Sequence, residues 1–399
     1  MAIKVSDKRI KEILRENGTS KYHITFNNHE ANHLAHAVVA MQRLGASEER
    51  ISQFSEWYTQ YIESPKGKTA TQHQSAERDI VKLLGARKNY YPLLNHYQDI
   101  LNRNYGSDLE AFIREEFHKL IGGIGGAAFH GLIQVAYGFT VNSAGTVCEG
   151  IAFLHHDYVS LNLTRDLTCV GTGTRDILVV LQDLRQERVL RNYMLKARTS
   201  YKSTSIFLCR FCPMVMNKAD DFWEYARQVR FPSSYDVSTL DGVMELCKWV
   251  LECAVVVYAK AEKRNDFFLL HGVTLGWSLL KILETYKDVN KALDVVRLYL
   301  LYLLIVYLCR DSPELVHPID ESCLKYKDWG SIIDRAMTFQ PVKSDEHIYK
   351  LVQCVFDLSH SDNKKDQQRD LVCRTAANVA LVYHLTLHDP GTRERKDIA

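Results

Sequence analysis

Leu298-Tyr-Leu-Leu-Tyr-Leu-Leu-Ile-Val-Tyr-Leu-Cys309 is the longest apolar run of the chain, and Arg297 and Arg310 bracket it. A membrane-crossing helix needs about 20 apolar residues. This run is shorter, so it reads as a helix buried inside the protein, and no membrane partner is expected. Outward from it, nearly every segment repeats its apolar residues with helical periodicity, proline is scarce, and alternating strand-like runs are hard to find. Ser6 caps a first helix that ends near Gly18. A second is expected from about Asn28 to Leu44, stopped by Gly45, and a third starts at Ser47 and ends before Pro65. Ser107-Asp-Leu-Glu110 has the form of a capping box that opens a long helix towards Val135. Helical patterns recur near 145–160, 174–195, 240–263, 267–286, 290–309, 345–358 and 368–388. Residues 65–75 read as a polar surface loop. Residues 196–238 are less regular and read as a lid or a long connection. With no fixed-period repeat and no shift in composition, the fold class is all-α, one domain over residues 1–399.

Composition narrows the function. Of 399 residues, 46% are hydrophobic and 25% charged, an ordinary globular balance, and the formal net charge of +2 with scattered basic residues gives no nucleic-acid surface. Met1 to Ser6 carries no apolar leader segment, and the ten cysteines sit mostly within apolar helical patterns, so a cytoplasmic location is expected. Cys209-Arg-Phe-Cys212 is a lone CxxC and reads as two packed thiols. Gly122-Gly-Ile-Gly-Gly126 lacks a preceding strand, so it reads as a place of close helix–helix approach rather than a dinucleotide loop.

The chemistry-bearing residues are histidines on apolar helices. His29, His33 and His36 are spaced by four and three, which puts them on one stripe of a helix. His130 and Gln134 share a helix face in His130-Gly-Leu-Ile-Gln-Val-Ala-Tyr-Gly138, His271 stands alone in Phe267-Phe-Leu-Leu-His-Gly-Val-Thr274, and His347 precedes Lys350 by three residues. A buried imidazole is either a satisfied core residue or a ligand. Lys350 either snorkels to water or is buried as a neutral amine, which reacts with carbon dioxide to give a carbamate, a good oxygen ligand. Helical bundles build metal sites from inward-facing ligands on facing helices, and imidazole suits Fe, Zn, Cu or Ni.

These blocks, in this order, resemble the questin oxidase-like family. Asn32-His-Leu-Ala-His-Ala-Val-Val-Ala-Met-Gln-Arg-Leu-Gly-Ala46 is similar to that family's opening N-H-x-x-H block, and His130 to Gly138 is similar to its H-P-L-I-H-L-G-Y-G block. His271 with Val273 and Thr274, and Glu346-His-Ile-Tyr-Lys350 after Asp345, match its H-x-V-T and D-E-H-x-x-K blocks. The resemblance implies an all-helical oxygenase for anthraquinone-like or related polyketide substrates, acting by Baeyer–Villiger-type oxygen insertion or oxidative ring cleavage, with NADPH linked to some members. It also implies a histidine-rich non-haem iron site with a carboxylated lysine. Carried over block by block, the metal ligands are His33, His130, His271, His347 and Lys350, with His36 the rival of His33, and His29 has no counterpart. Two departures stand out: Gln134 replaces a family histidine and Gly131 a proline.

The expected protein is thus an oxidoreductase that uses Fe(II) and dioxygen on a flat aromatic substrate, with Gln134 or Tyr137 placing the substrate carbonyl. Two alternatives stand beside it: a metal-free oxidase using NADPH, and a non-catalytic helical protein that binds small molecules.

Overall fold

The computed structural model describes residues 5–26, 30–62, 80–87, 90–200, 207–338, 346–361 and 366–383. Helices dominate these. The first part holds α1 (Asp7–Glu16), a minimal antiparallel pair β1 (Thr25–Phe26) and β2 (Glu30–Ala31), α2 (Leu34–Arg43), α3 (Glu48–Tyr58), α4 (Tyr90–Tyr105) and the single turn α5 (Leu109–Phe112). The middle holds α6 (His130–Thr140), α7 (Ala144–His156), α8 (Ile177–Gln186), α9 (Arg188–Ser200), α10 (Cys212–Asn217) and α11 (Ala219–Ala226). The last part holds α12 (Leu240–Lys260), α13 (Phe267–Leu283), α14 (Val289–Cys309), α15 (Trp329–Thr338), α16 (Glu346–Ser359) and α17 (Gln367–Val382). The fold class is all-α.

Local chemistry explains most boundaries. Ser6, Ser47, Asp176, Thr239, Asp266, Asp288 and Asp366 each accept a hydrogen bond from a backbone N–H in the first turn of the helix that follows, and so satisfy donors that no helical carbonyl reaches. The opening apolar run lies in α14, whose residues from Leu298 to Cys309 are all buried. Including its more polar first turns, α14 is long and apolar enough to cross a membrane by composition, yet 89% of its most apolar window lies inside the fold. It packs on α12 and α13. Around the site, α2 packs on α6 and α16, and α13 packs on the same two helices, closing a four-helix ring.

The seam between α6 and α7 is set by glycine. A Cβ on Gly131 would stand 2.6 Å from the backbone nitrogen of Leu154, and one on Gly150 would stand 2.6 Å from that of Val135. Both are closer than any real Cβ comes, so the two helices meet backbone to backbone. Gly131 therefore has a packing reason to stand where the resembled family has proline.

Three expectations about helices change. The helix expected from Asn28 starts only at Leu34, because the Asn32 side chain accepts from Leu34 N (3.0 Å) and donates to the His23 carbonyl (3.2 Å), a local alternative to helix. The histidine stripe is lost with it: His33 is the N-cap, His36 lies in the first turn, and His29 is outside the described residues, as are residues 65–75. The long helix from Ser107 towards Val135 is broken. Asp108, not Ser107, caps the first turn, and a π-type turn over Ile113–Phe117 leads into irregular backbone that ends at His130. In that break Gly123 lies against the Tyr158 ring and Gly126 against the Asp157 carbonyl, so neither has room for a Cβ. The glycine cluster thus serves close approach to the chain beyond α7 rather than helix–helix packing. Ala127, Ala128 and Phe129 follow with φ of 46°, 51° and 70°, a left-handed run of three residues that all carry a Cβ. The pattern over 174–195 divides into two helices at Glu187, whose extended backbone lets its side chain accept from Val189 N (2.7 Å). Within 196–238, the stretch over 207–226 is helical and buries Phe211, Met214 and Phe222 completely.

Candidate metal centre

Four imidazoles meet inside the helix ring. His130 is the first residue of α6, and the left-handed run before it turns the Ala127 carbonyl onto its Nδ1. His271 lies in the second turn of α13, where Nδ1 donates to the Phe267 carbonyl (2.7 Å). The α13 start is held by Asp266, whose Oδ1 accepts from Phe268 N and Leu269 N while its Oδ2 accepts from Arg310 Nε (2.6 Å). His33 caps α2, its backbone N–H donating to the Tyr58 hydroxyl (2.9 Å) and its Nδ1 standing 3.3 Å from Glu346 Oε1. His347 is the second residue of α16, with Nδ1 3.8 Å from the same Glu346 oxygen. One buried carboxylate therefore stands beside two rings.

The Nδ1 contacts decide where the lone pairs go. A ring that donates from Nδ1 in its neutral form presents a bare Nε2. His33 and His130 bring their Nε2 atoms to 2.7 Å, and His130 and His271 bring theirs to 3.2 Å. One donor atom from each of His33, His130, His271 and His347 falls within 4.8 Å of the others, and all four side chains are buried. Burial holds the His33, His130 and His271 pKa values well below the usual imidazole range. These three rings are therefore neutral at pH 7, the form that ligates. Where two bare Nε2 lone pairs face one another in a dry interior, as at His130 and His271, they repel unless an electron-poor partner lies between them. His130 and His271 are held at Nδ1 by backbone carbonyls with Nε2 turned inward, which is how proteins orient metal-ligating histidines. The donor set fits a metal ion.

A family model described as Questin oxidase-like matches residues 31–355, most of the chain and all four imidazoles. The chain belongs to the questin oxidase-like family. No curated protein matches it. Membership carries an oxidoreductase-type function.

In this family member the remaining candidates form a layer behind the cluster. Lys350 is fully buried one turn after Glu346 and near enough to the rings to lower the pKa of His33, His36, His130 and His271. His36 is not in the four-ring set. Its ring centroid lies 5.5 Å from that of His33 and stacks on Tyr137 at 5.4 Å, so of the two rivals it is His33 that joins the cluster. Tyr137 donates to Gln353 Oε1 (2.8 Å) and packs on Trp277, and the Trp277 indole and Gln353 Nε2 both donate to Asp357. Gln134 donates to Glu149 Oε2 (3.0 Å), whose other oxygen accepts from Thr19. A cavity of ≈20 Å³ opens beside Gln134 and Glu149. Gln134 and Tyr137 are thus engaged in the outer layer. Cys209 and Cys212 are buried away from the cluster, and burial pushes the Cys212 thiol up to about 12.

Glu346 is the residue that sequence reasoning passed over. Its signal was present: a carboxylate directly before His347 on an otherwise apolar helix face, the type of group that fixes a ligating ring from behind. Asp266 and Arg310 gave no such signal, since their pairing is long-range.

Proposed function

We propose that the protein is an iron-dependent oxygenase that acts on a quinone- or polyketide-like aromatic substrate by oxygen insertion or ring cleavage. The observation that carries this is the convergence of four buried imidazoles on one point, two of them held at Nδ1 by backbone carbonyls. His33, His130, His271 and His347 would hold the iron, and Lys350, as a carbamate formed from its neutral amine and carbon dioxide with release of one proton, would add an anionic oxygen. Iron bound there supplies the one-electron chemistry that lets dioxygen react with a closed-shell aromatic. The chain's own contributions are separate. Ala127 and Phe267 carbonyls fix two ring tautomers, and Glu346 orients two more rings and offsets positive charge. The apolar faces of α6 and α13 exclude water. Three of the four rings stand at a helix start, where the dipole favours electron-rich ligands and disfavours a protonated ring. Gln134 lies in the outer layer, so its presence in place of a family histidine removes no ring from the four.

The test is elemental analysis of protein produced with iron present. Wild type should carry stoichiometric iron, and His130→Ala and His271→Ala should lose it while keeping their helical circular dichroism. Iron-free wild-type protein with full, chelator-resistant oxidase activity in the presence of NADPH would replace this reading with the metal-free one.

A further inference from the structure

The four-ring cluster is closed. His271 is 0% exposed and His33, His130 and His347 are 4–5% exposed, so no aromatic substrate reaches them without movement. Among the described aromatic rings packed against the four imidazoles, His36, Phe268 and Phe267, two are buried and Phe267 alone is half-buried. Its ring centroid lies 4.3 Å from His271 and 5.0 Å from His347, so this half-buried residue packs against two of the four imidazoles.

The backbone under this ring is anchored. Asp266 caps the helix, Arg310 holds Asp266, and the Phe267 carbonyl is engaged by His271 Nδ1. Phe267 is the first residue of α13, so no preceding helical turn limits its χ1. The side chain can therefore swing while the main chain and the His271 tautomer stay in place.

We propose that Phe267 is the gate of the site: its phenyl ring occupies the slot that a planar aromatic ligand takes, and turns out to admit it. The slot lies beside the His271 and His347 rings, so the ligand that replaces the phenyl is flat and apolar. This rests on the aromatic-substrate reading above and adds the residue that controls access.

The test uses the full-length, metal-loaded protein and anthraquinone-2-sulfonate, followed by stopped-flow fluorescence and titration calorimetry. A gate open in a minor fraction of molecules slows association by that fraction, so Phe267→Ala should bind roughly tenfold faster or more. Phe267→Leu should fall between the two, and Phe267→Trp should be slower than wild type. Thermal unfolding identifies any variant that fails to fold, and the Leu and Trp variants keep the comparison intact if Ala does. Binding with equal rates in all four proteins overturns the gate and leaves the aromatic-substrate reading standing. Failure of every variant to bind overturns the aromatic-substrate reading, and the gate with it.

Discussion

Replacing Glu346 by glutamine removes one buried charge and almost no volume. Its Oε1 stands 3.3 Å from His33 Nδ1 and 3.8 Å from His347 Nδ1, and the side chain is only 8% exposed, so water screens neither contact. Loss of an outer partner of a ligating histidine costs about 10–100-fold in metal affinity. Here one carboxylate supports two of four rings, which places the expected loss near the upper end, about 100-fold or 2.7 kcal/mol. Zinc, which does not oxidise, is the practical probe, in equilibrium competition against a chromogenic chelator. A second readout is thermal: at a saturating metal concentration, stabilisation of the folded state shrinks by the same ~2.7 kcal/mol. Glu149→Gln is the control, because Glu149 accepts from Gln134 and Thr19 and touches none of the four rings' Nδ1 atoms. Equal metal affinity in Glu346→Gln and wild type, or an equal loss in Glu149→Gln, would refute the reasoning.

Acid should destabilise the metal-free protein. His33, His36, His130 and His271 have pKa values lowered by burial, so below the ordinary value of 6.5 the unfolded chain takes up protons that the folded chain refuses. Stability is therefore fully present above pH 6.5 and falls by up to about 1.4 kcal/mol per pH unit for each ring below it, readable in urea unfolding between pH 7.5 and 5. Gly150→Ala should cost about 1–3 kcal/mol, because its Cβ must push Val135 and the α6 backbone away, and urea unfolding at fixed pH measures it. An unchanged midpoint would mean that the seam can open freely. Arg310→Met should cost about 3–5 kcal/mol by leaving the Asp266 carboxylate unpaired in the interior, and the double variant Arg310→Met with Asp266→Asn should recover part of that.

The helices of this chain were legible wherever periodicity and a cap agreed, as at Ser6, Ser47 and the run into Cys309. They were misread where a side chain or a glycine series competed locally. Asn32 delays to Leu34 a helix that the histidine spacing extends back to Asn28, and the Gly122–Gly126 cluster breaks one that the apolar pattern carries through. Residues of the site could be singled out one at a time, since an imidazole on an apolar helix is conspicuous. Their convergence could not be, because it depends on packing between helices far apart in sequence, the farthest being α2 (Leu34–Arg43) and α16 (Glu346–Ser359). Tyr137 and Gln134 show the limit from the other side. Both are polar groups in an apolar helix beside His130, yet their partners, Gln353 and Glu149, lie on other elements and draw them into the outer layer.

The left-handed run at Ala127–Phe129 bears on the order in which the molecule completes itself. Each such residue costs about 1–2 kcal/mol against ordinary helix, so this backbone is uphill on its own and exists only under load from its neighbours. The load is the contact of Gly126 with Asp157 and the α6–α7 seam, both of which must be closed first. His130 is consequently among the last groups to reach its place and the first to leave it when the fold loosens. Native-state hydrogen exchange should find residues 121–130 opening at lower free energy than α14, and affinity for metal should disappear before the helical signal does.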